Sequence, residues 1–72
     1  MIERDEASDR THFKMDNVDE GFIRITTEEC GENVLTVCDY LYKDMAQLYV
    51  TKEDLLELKK MINMALSIME DK

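Results

Sequence analysis

The chain has 72 residues, of which 36% are charged and 44% are apolar. This composition is typical of one small folded domain with a thin core. Seventeen acidic against nine basic residues give a net charge of −8, which repels nucleic-acid phosphates and excludes direct nonspecific DNA binding. No apolar run approaches the roughly 18 residues that span a membrane, and the charged start lacks a signal-peptide apolar region. We therefore expect a soluble, cytoplasmic protein that does not contact membranes.

The first twenty residues are strongly acidic. Residues 1–20 carry seven acidic and three basic side chains, and their apolar residues follow no sustained period. This pattern predicts a mobile N-terminal arm, with residues 21–72 forming a single domain. The alternative is an arm that becomes ordered on a partner, with Phe13 and Met15 as anchors.

The middle of the chain predicts a β-meander. Residues 22–28 and 34–40 alternate apolar and polar positions and are rich in β-branched residues, and residues 47–50 provide a short third strand. Between the first two strands, Gly31 and Asn33 tolerate the positive φ of hairpin loops. Apolar residues between Val34 and Leu48 also match helical spacing, but their β-branched and aromatic content favours strands.

A C-terminal helix is predicted over residues 52–69. Thr51 can cap its first turn, and Asp54 can return a bond to Thr51 as the acidic member of a capping box. Val50 and Leu55 occupy the positions of a hydrophobic staple. The sequence therefore predicts an α+β fold, in which a three-stranded antiparallel meander is packed by one C-terminal helix.

The predicted helix has more apolar surface than a small sheet needs to cover. One stripe is expected to face the sheet: Leu55, Leu58, Ile62, Ala65, Leu66 and Met69. Beside it lie Met61, Met64 and Ile68, which we predict to form the interface of a homodimer. The alternative is that the methionines fill gaps within one subunit.

Tyrosines and carboxylates suggest a second interaction surface, on the sheet face opposite the helix. Tyrosine supplies contact area and a hydroxyl group at low entropic cost, and nearby carboxylates would form a negative rim. The predicted partner-binding residues are Glu28, Glu29, Glu32, Asp39, Tyr40, Tyr42, Asp44 and Tyr49. The alternative is an ordinary solvated sheet face.

The sequence contains no recognisable catalytic, cofactor or metal motif. The only histidine, His12, lies in the predicted arm, away from Cys30 and Cys38, so neither a cysteine–histidine pair nor a zinc site is expected. The two cysteines are expected to be free thiols. Neither glycine belongs to a phosphate-binding loop, and the acidic clusters lack calcium-loop spacing. We predict a non-enzymatic protein without a cofactor.

The segment LYVTKEDLLELKKMINMAL, which follows the predicted hairpin, resembles the ends of many small bacteriophage and mobile-element proteins. The resemblance implies an accessory protein such as an anti-CRISPR-type inhibitor or another host-takeover factor, some of which act as DNA mimics. We therefore expect an interaction module that docks on a basic, nucleic-acid-binding surface of a host protein. The alternative is a self-assembling structural or regulatory homo-oligomer, with a small-ligand pocket between its subunits.

Overall fold

The fold is a five-stranded antiparallel sheet followed by one helix. A computed structural model describes residues 1–29 and 31–70. The strands follow one another in chain order across the sheet, and the helix comes last. The elements are β1 (Ile2–Glu6), β2 (Arg10–Asp16), β3 (Gly21–Glu28), β4 (Asn33–Asp39), β5 (Asp44–Val50) and α1 (Lys52–Glu70).

The prediction of a three-stranded meander is wrong in strand count. The segment predicted as a mobile arm forms β1 and β2, which pair with each other and with β3. Thr11, Phe13 and Met15 alternate with His12 and Lys14, a period of two that suits a strand. This alternation is short and is interrupted by charged residues, so it does not specify a strand by itself. The segment forms β2 because β3 pairs with it.

The three predicted strands are present, with shifted bounds. The strand predicted at residues 22–28 begins at Gly21, and that predicted at 34–40 occupies Asn33–Asp39. The third strand is longer than predicted, running over Asp44–Val50. The alternative helical interpretation of this region is wrong, because β4 and β5 pair along their whole lengths.

The turns use a different chemistry from the one predicted. Neither Gly31 nor Asn33 has a positive φ, and Asn33 belongs to β4. Left-handed conformations occur instead in the β2–β3 and β4–β5 connections, at Asn17, Asp19, Glu20 and Lys43. Cys30, which the sequence predicts to lie in the turn between the first two predicted strands, is outside the described residues.

The start of α1 confirms the predicted capping box. The Asp54 backbone N–H donates to Thr51 Oγ1 at 3.1 Å, and the Thr51 N–H donates to Asp54 Oδ2 at 2.9 Å. These reciprocal bonds satisfy amides that have no partner inside the helix. The helix begins as predicted, and the structure describes it as far as Glu70, one residue beyond the predicted end.

The register of the sheet divides its side chains between two faces. One row runs through Met15, Ile23 and Val37, and the next through Phe13, Ile25 and Leu35. We call this side the apolar sheet face. Its members are Ile2, Phe13, Met15, Ile23, Ile25, Leu35, Val37, Ala46 and Leu48. The alternate positions form the polar sheet face. The helix α1 lies over the apolar sheet face, because its residues Leu58 and Ile62 line a groove together with side chains of that face.

Among the described residues, no helix combines the length and apolar character that crossing a membrane requires.

Candidate protein-interaction surface

The apolar sheet face is not sealed by the rest of the chain. In the part of the chain that the structure describes, no apolar side chain is buried. Ile23, Ile25 and Leu35 are half-buried, whereas Leu48 keeps 64% of its surface exposed. The side chains that are buried, Thr26 and Thr36, belong to the polar sheet face. The apolar face therefore remains available to another molecule.

The helix leaves open space on both of its sides. Its backbone approaches only β5 among the five strands, so that a groove of about 430 Å³ remains between α1 and the rest of the apolar sheet face. A wider groove, of about 770 Å³, lies on the β5 side, where Leu48 and Val50 face Met61 and Met64. The two grooves make one apolar region with α1 in its middle.

The stripe predicted to form the core is only partly covered. Leu55 and Leu58 are half-buried, whereas Ile62, Leu66 and Met69 are exposed. The predicted interface residues Met61, Met64 and Ile68 are exposed by 61%, 68% and 65%. Nothing in the described chain covers these three residues, and whether they form an oligomer interface stays a prediction.

The predicted tyrosine and carboxylate residues do not form one surface. Glu28, Glu29, Glu32 and Tyr49 lie at the β3–β4 end of the sheet, where Val34 pairs with Tyr49. The other four, Asp39, Tyr40, Tyr42 and Asp44, lie around the β4–β5 turn. β3 separates these two ends by about 24 Å, at roughly 3.4 Å per residue. The sequence therefore predicted two separate patches as one.

The β3–β4 patch carries three of the predicted carboxylates, against two in the β4–β5 patch. Glu28 forms an ion pair with Arg10 at 3.7 Å. Glu29 and Glu32 are exposed and form no ion pair with any described residue. Tyr49, 74% exposed, and Glu32 line the same shallow cleft. Two free carboxylates beside an exposed phenol can accept hydrogen bonds from basic side chains.

Tyr40, a member of the β4–β5 patch, belongs to a polar and aromatic cluster. The Tyr40 hydroxyl donates to Asp16 Oδ1 at 3.0 Å, and its ring centroid lies 5.7 Å from that of Phe22. Lys14 Nζ lies 4.6 Å from the Phe22 ring centroid, a cation–π distance. This cluster positions Tyr40 on the polar sheet face, as predicted, and leaves Tyr42 exposed in the turn.

Hydrogen bonding shifts the pKa values of two groups in this cluster. The Asn17 backbone N–H, which donates to Asp16 Oδ1 at 3.0 Å, and the Tyr40 hydroxyl together lower the pKa of Asp16 below its usual 3.8. Burial, followed by the bond to Asp16, raises the pKa of Tyr40 above its usual 10.0. Both shifts favour the state in which the phenol is protonated and the carboxylate is charged.

The candidate catalytic and metal-binding side chains stand apart from one another. His12 Nδ1 forms a hydrogen bond with Thr26 Oγ1 at 2.7 Å on the polar sheet face. Cys38 is a free, half-buried thiol, whereas Cys30 lies outside the described residues. Among residues 1–29 and 31–70, no group of three or more His, Cys, Asp or Glu side chains is arranged to hold a metal ion.

Sequence reasoning missed the largest part of this surface. It did not place Ile2, Phe13 and Met15 beside Ile23 and Ile25, because it left the first twenty residues out of the sheet. The alternation from Thr11 to Met15 was the available signal. It also missed Asp16, whose role depends on the approach of Tyr40 from 24 residues away.

Comparisons with protein-family models, with curated proteins and with solved structures found no match to this chain.

Proposed function

We propose that this chain is a non-enzymatic protein-interaction module. The observation that carries the proposal is the unsealed apolar face, since no apolar side chain among the described residues is buried. An exposed apolar region bordered by polar residues is typical of a surface that binds another protein. The chain would therefore complete its packing only when bound.

The acidic β3–β4 end supports a partner with a basic surface. Glu29 and Glu32 have no ion pair among the described residues, and the net charge of −8 extends the attraction beyond direct contact. Electrostatic complementarity raises the association rate and selects partners, while the apolar contact supplies affinity. A nucleic-acid-binding protein offers such a basic surface.

A salt-controlled pull-down tests this proposal. The immobilised chain is exposed to lysate of the cells that produce it, in low and in high salt. We expect a protein that is retained in low salt and released in high salt, because exposed charge interactions are screened. The double variant Glu29→Gln, Glu32→Gln should lose most of this retention.

The matched control is the double variant Glu53→Gln, Glu70→Gln. It removes the same amount of charge from α1, and the partner protein should still be retained by it. Equal retention by the two double variants, or retention that does not respond to salt, would contradict docking through the β3–β4 end.

A narrower proposal is that the module acts as a phage-type inhibitor. Carboxylates that occupy a basic surface exclude nucleic acid from it, since both compete for the same cations. Adding the chain to the retained protein with fluorescent DNA or RNA should lower the anisotropy of the labelled nucleic acid. No displacement by a hundredfold excess of the chain would contradict inhibition by competition.

A further inference from the structure

We propose that a second copy of this chain covers the β5 side of the apolar face, and that the two copies join by antiparallel pairing of their β5 edges about a two-fold axis at Gln47. The inference rests on the proposed function, because it names one occupant of the unsealed face. It leaves Glu29 and Glu32 of each copy free for another partner, whereas Tyr49 joins the paired edge.

The exposed area is large enough for a stable dimer. A folded monomer of 8.5 kDa is expected to expose about 4,650 Å², whereas this chain exposes 6283 Å², an excess of roughly 1,600 Å². If pairing at β5 covered about half of this excess on each copy, the interface would total about 1,600 Å², the standard size of a specific protein–protein interface.

The two edges of the sheet differ in their capacity to pair. β1 carries charged side chains at four consecutive positions from Glu3 to Glu6, a pattern that discourages edge-to-edge association. β5 carries none from Met45 to Val50, and its residues Asp44 to Tyr49 are all exposed. Of the two edges, only β5 has the uncharged, extended character that strand pairing requires.

A two-fold axis at Gln47 produces compatible neighbours. In an antiparallel pair, the residue numbers of opposite positions add up to a constant. Met45 would therefore lie opposite the copy's Tyr49, and Ala46 opposite the copy's Leu48. Both pairs are uncharged, and side chains directly opposite each other in an antiparallel pair lie close enough to pack together. The two Asp44 side chains would lie at opposite ends of the shared ladder, so that like charges do not face each other.

The position of α1 makes the helices part of the same interface. Its backbone approaches β5 alone, and Met61 and Met64 line the wider groove together with Leu48 and Val50. Pairing at β5 brings the copy's helix to this groove from the other side. The exposed flank of Met61, Met64 and Ile68 would then meet its copy.

Sedimentation equilibrium of the full chain at tens of micromolar tests the proposal. We expect twice the chain mass of 8.5 kDa. Gln47→Lys would place two like charges opposite each other and should raise the dissociation constant about two- to fivefold. The polar side of α1 carries Lys59, Lys60, Asn63, Ser67 and Glu70. Ser67→Lys, which adds the same charge there, should leave the dissociation constant unchanged. A monomeric wild-type chain, or equal effects of the two variants, would overturn the proposal.

Cross-linking remains informative if Gln47→Lys does not fold. Two cysteines introduced by Gln47→Cys would lie directly opposite each other, with Cβ atoms about 4.5–5.5 Å apart, close enough for a short thiol cross-linker. Glu3→Cys on the β1 edge is the control, and the wild-type chain measures the background from its own thiols. We expect a much higher yield of covalent dimer from Gln47→Cys than from Glu3→Cys or from the wild-type chain. Equal yields would overturn β5 pairing, even if the pull-down retained a partner.

Discussion

At the scale of single residues, Asp16 and Tyr40 show how side chains far apart in sequence adjust each other. The bonds that Asp16 accepts stabilise its charged form, which lowers its pKa. A carboxyl group whose pKa is lower in the folded state than in the unfolded state stabilises the fold at pH values above its unfolded pKa of 3.8. This contribution is lost as the pH falls from that value through the lower folded value.

Tyr40→Phe is expected to raise the pKa of Asp16 toward 3.8. The variant removes one of the two hydrogen bonds to Oδ1, while the Asn17 N–H still donates to it. The Asp16 pKa should therefore stay below 3.8, and the folded state should lose less stability below about pH 4. A carboxyl-detected NMR titration of wild type and variant measures the shift.

Tyr42→Phe provides the control, because the Tyr42 hydroxyl forms no hydrogen bond with a described side chain. The same Asp16 pKa in wild type and Tyr40→Phe would show that the phenol does not stabilise the carboxylate.

At the scale of elements, the helix and the strands differ in what specifies them. The helix begins where Thr51 and Asp54 cap each other, a contact between residues three positions apart. β3 depends on distant neighbours, because Gly21 lies directly against the Cys38 carbonyl of β4. A Cβ atom at Gly21 would collide with that backbone oxygen, whereas one at Gly31 would meet only the movable Glu28 side chain.

Gly21→Ala is expected to lower the free energy of unfolding by about 1–3 kcal/mol, the usual cost of overpacking. The backbone of β4 has to shift to admit the methyl group, and this disturbs the pairing of Gly21 with Asp39. Urea denaturation at one fixed protein concentration measures the difference from wild type.

Gly31→Ala, the matched control, should change the free energy of unfolding by less than about 0.5 kcal/mol, as exposed substitutions usually do. Equal losses of unfolding free energy for the two alanine variants would show that the contact between Gly21 and the Cys38 carbonyl does not determine how closely β3 and β4 approach.

At the scale of the whole molecule, the thin core leads us to expect that stability depends on the proposed association. With no apolar side chain buried among the described residues, one chain alone gains little from the hydrophobic effect. If a copy covers part of the apolar face, unfolding of each chain is coupled to dissociation of the dimer.

The midpoint of thermal unfolding is therefore expected to rise with protein concentration. A hundredfold increase adds about 2.7 kcal/mol to the stability of a dimer, which corresponds to roughly 5–10 °C for two small chains. Calorimetry over this range measures the change. Met64→Asp, which places a charge in the proposed interface, should unfold at a lower midpoint that is independent of concentration.

Ser67→Asp, with the same added charge on the polar side of α1, should behave like the wild-type chain. A wild-type midpoint that does not change with concentration would contradict coupled dissociation.

The sequence by itself determined the elements that local chemistry specifies. The capping box sets the start of α1, and alternation with β-branched residues marks β3 and β4. Tertiary structure decided the rest. β1 and β2 form because β3 pairs with β2, a contact between distant segments that neither propensity nor a short alternation specifies. The separation of the two acidic patches and the exposure of the apolar face likewise depend on where five strands and one helix lie in space, which no local pattern encodes.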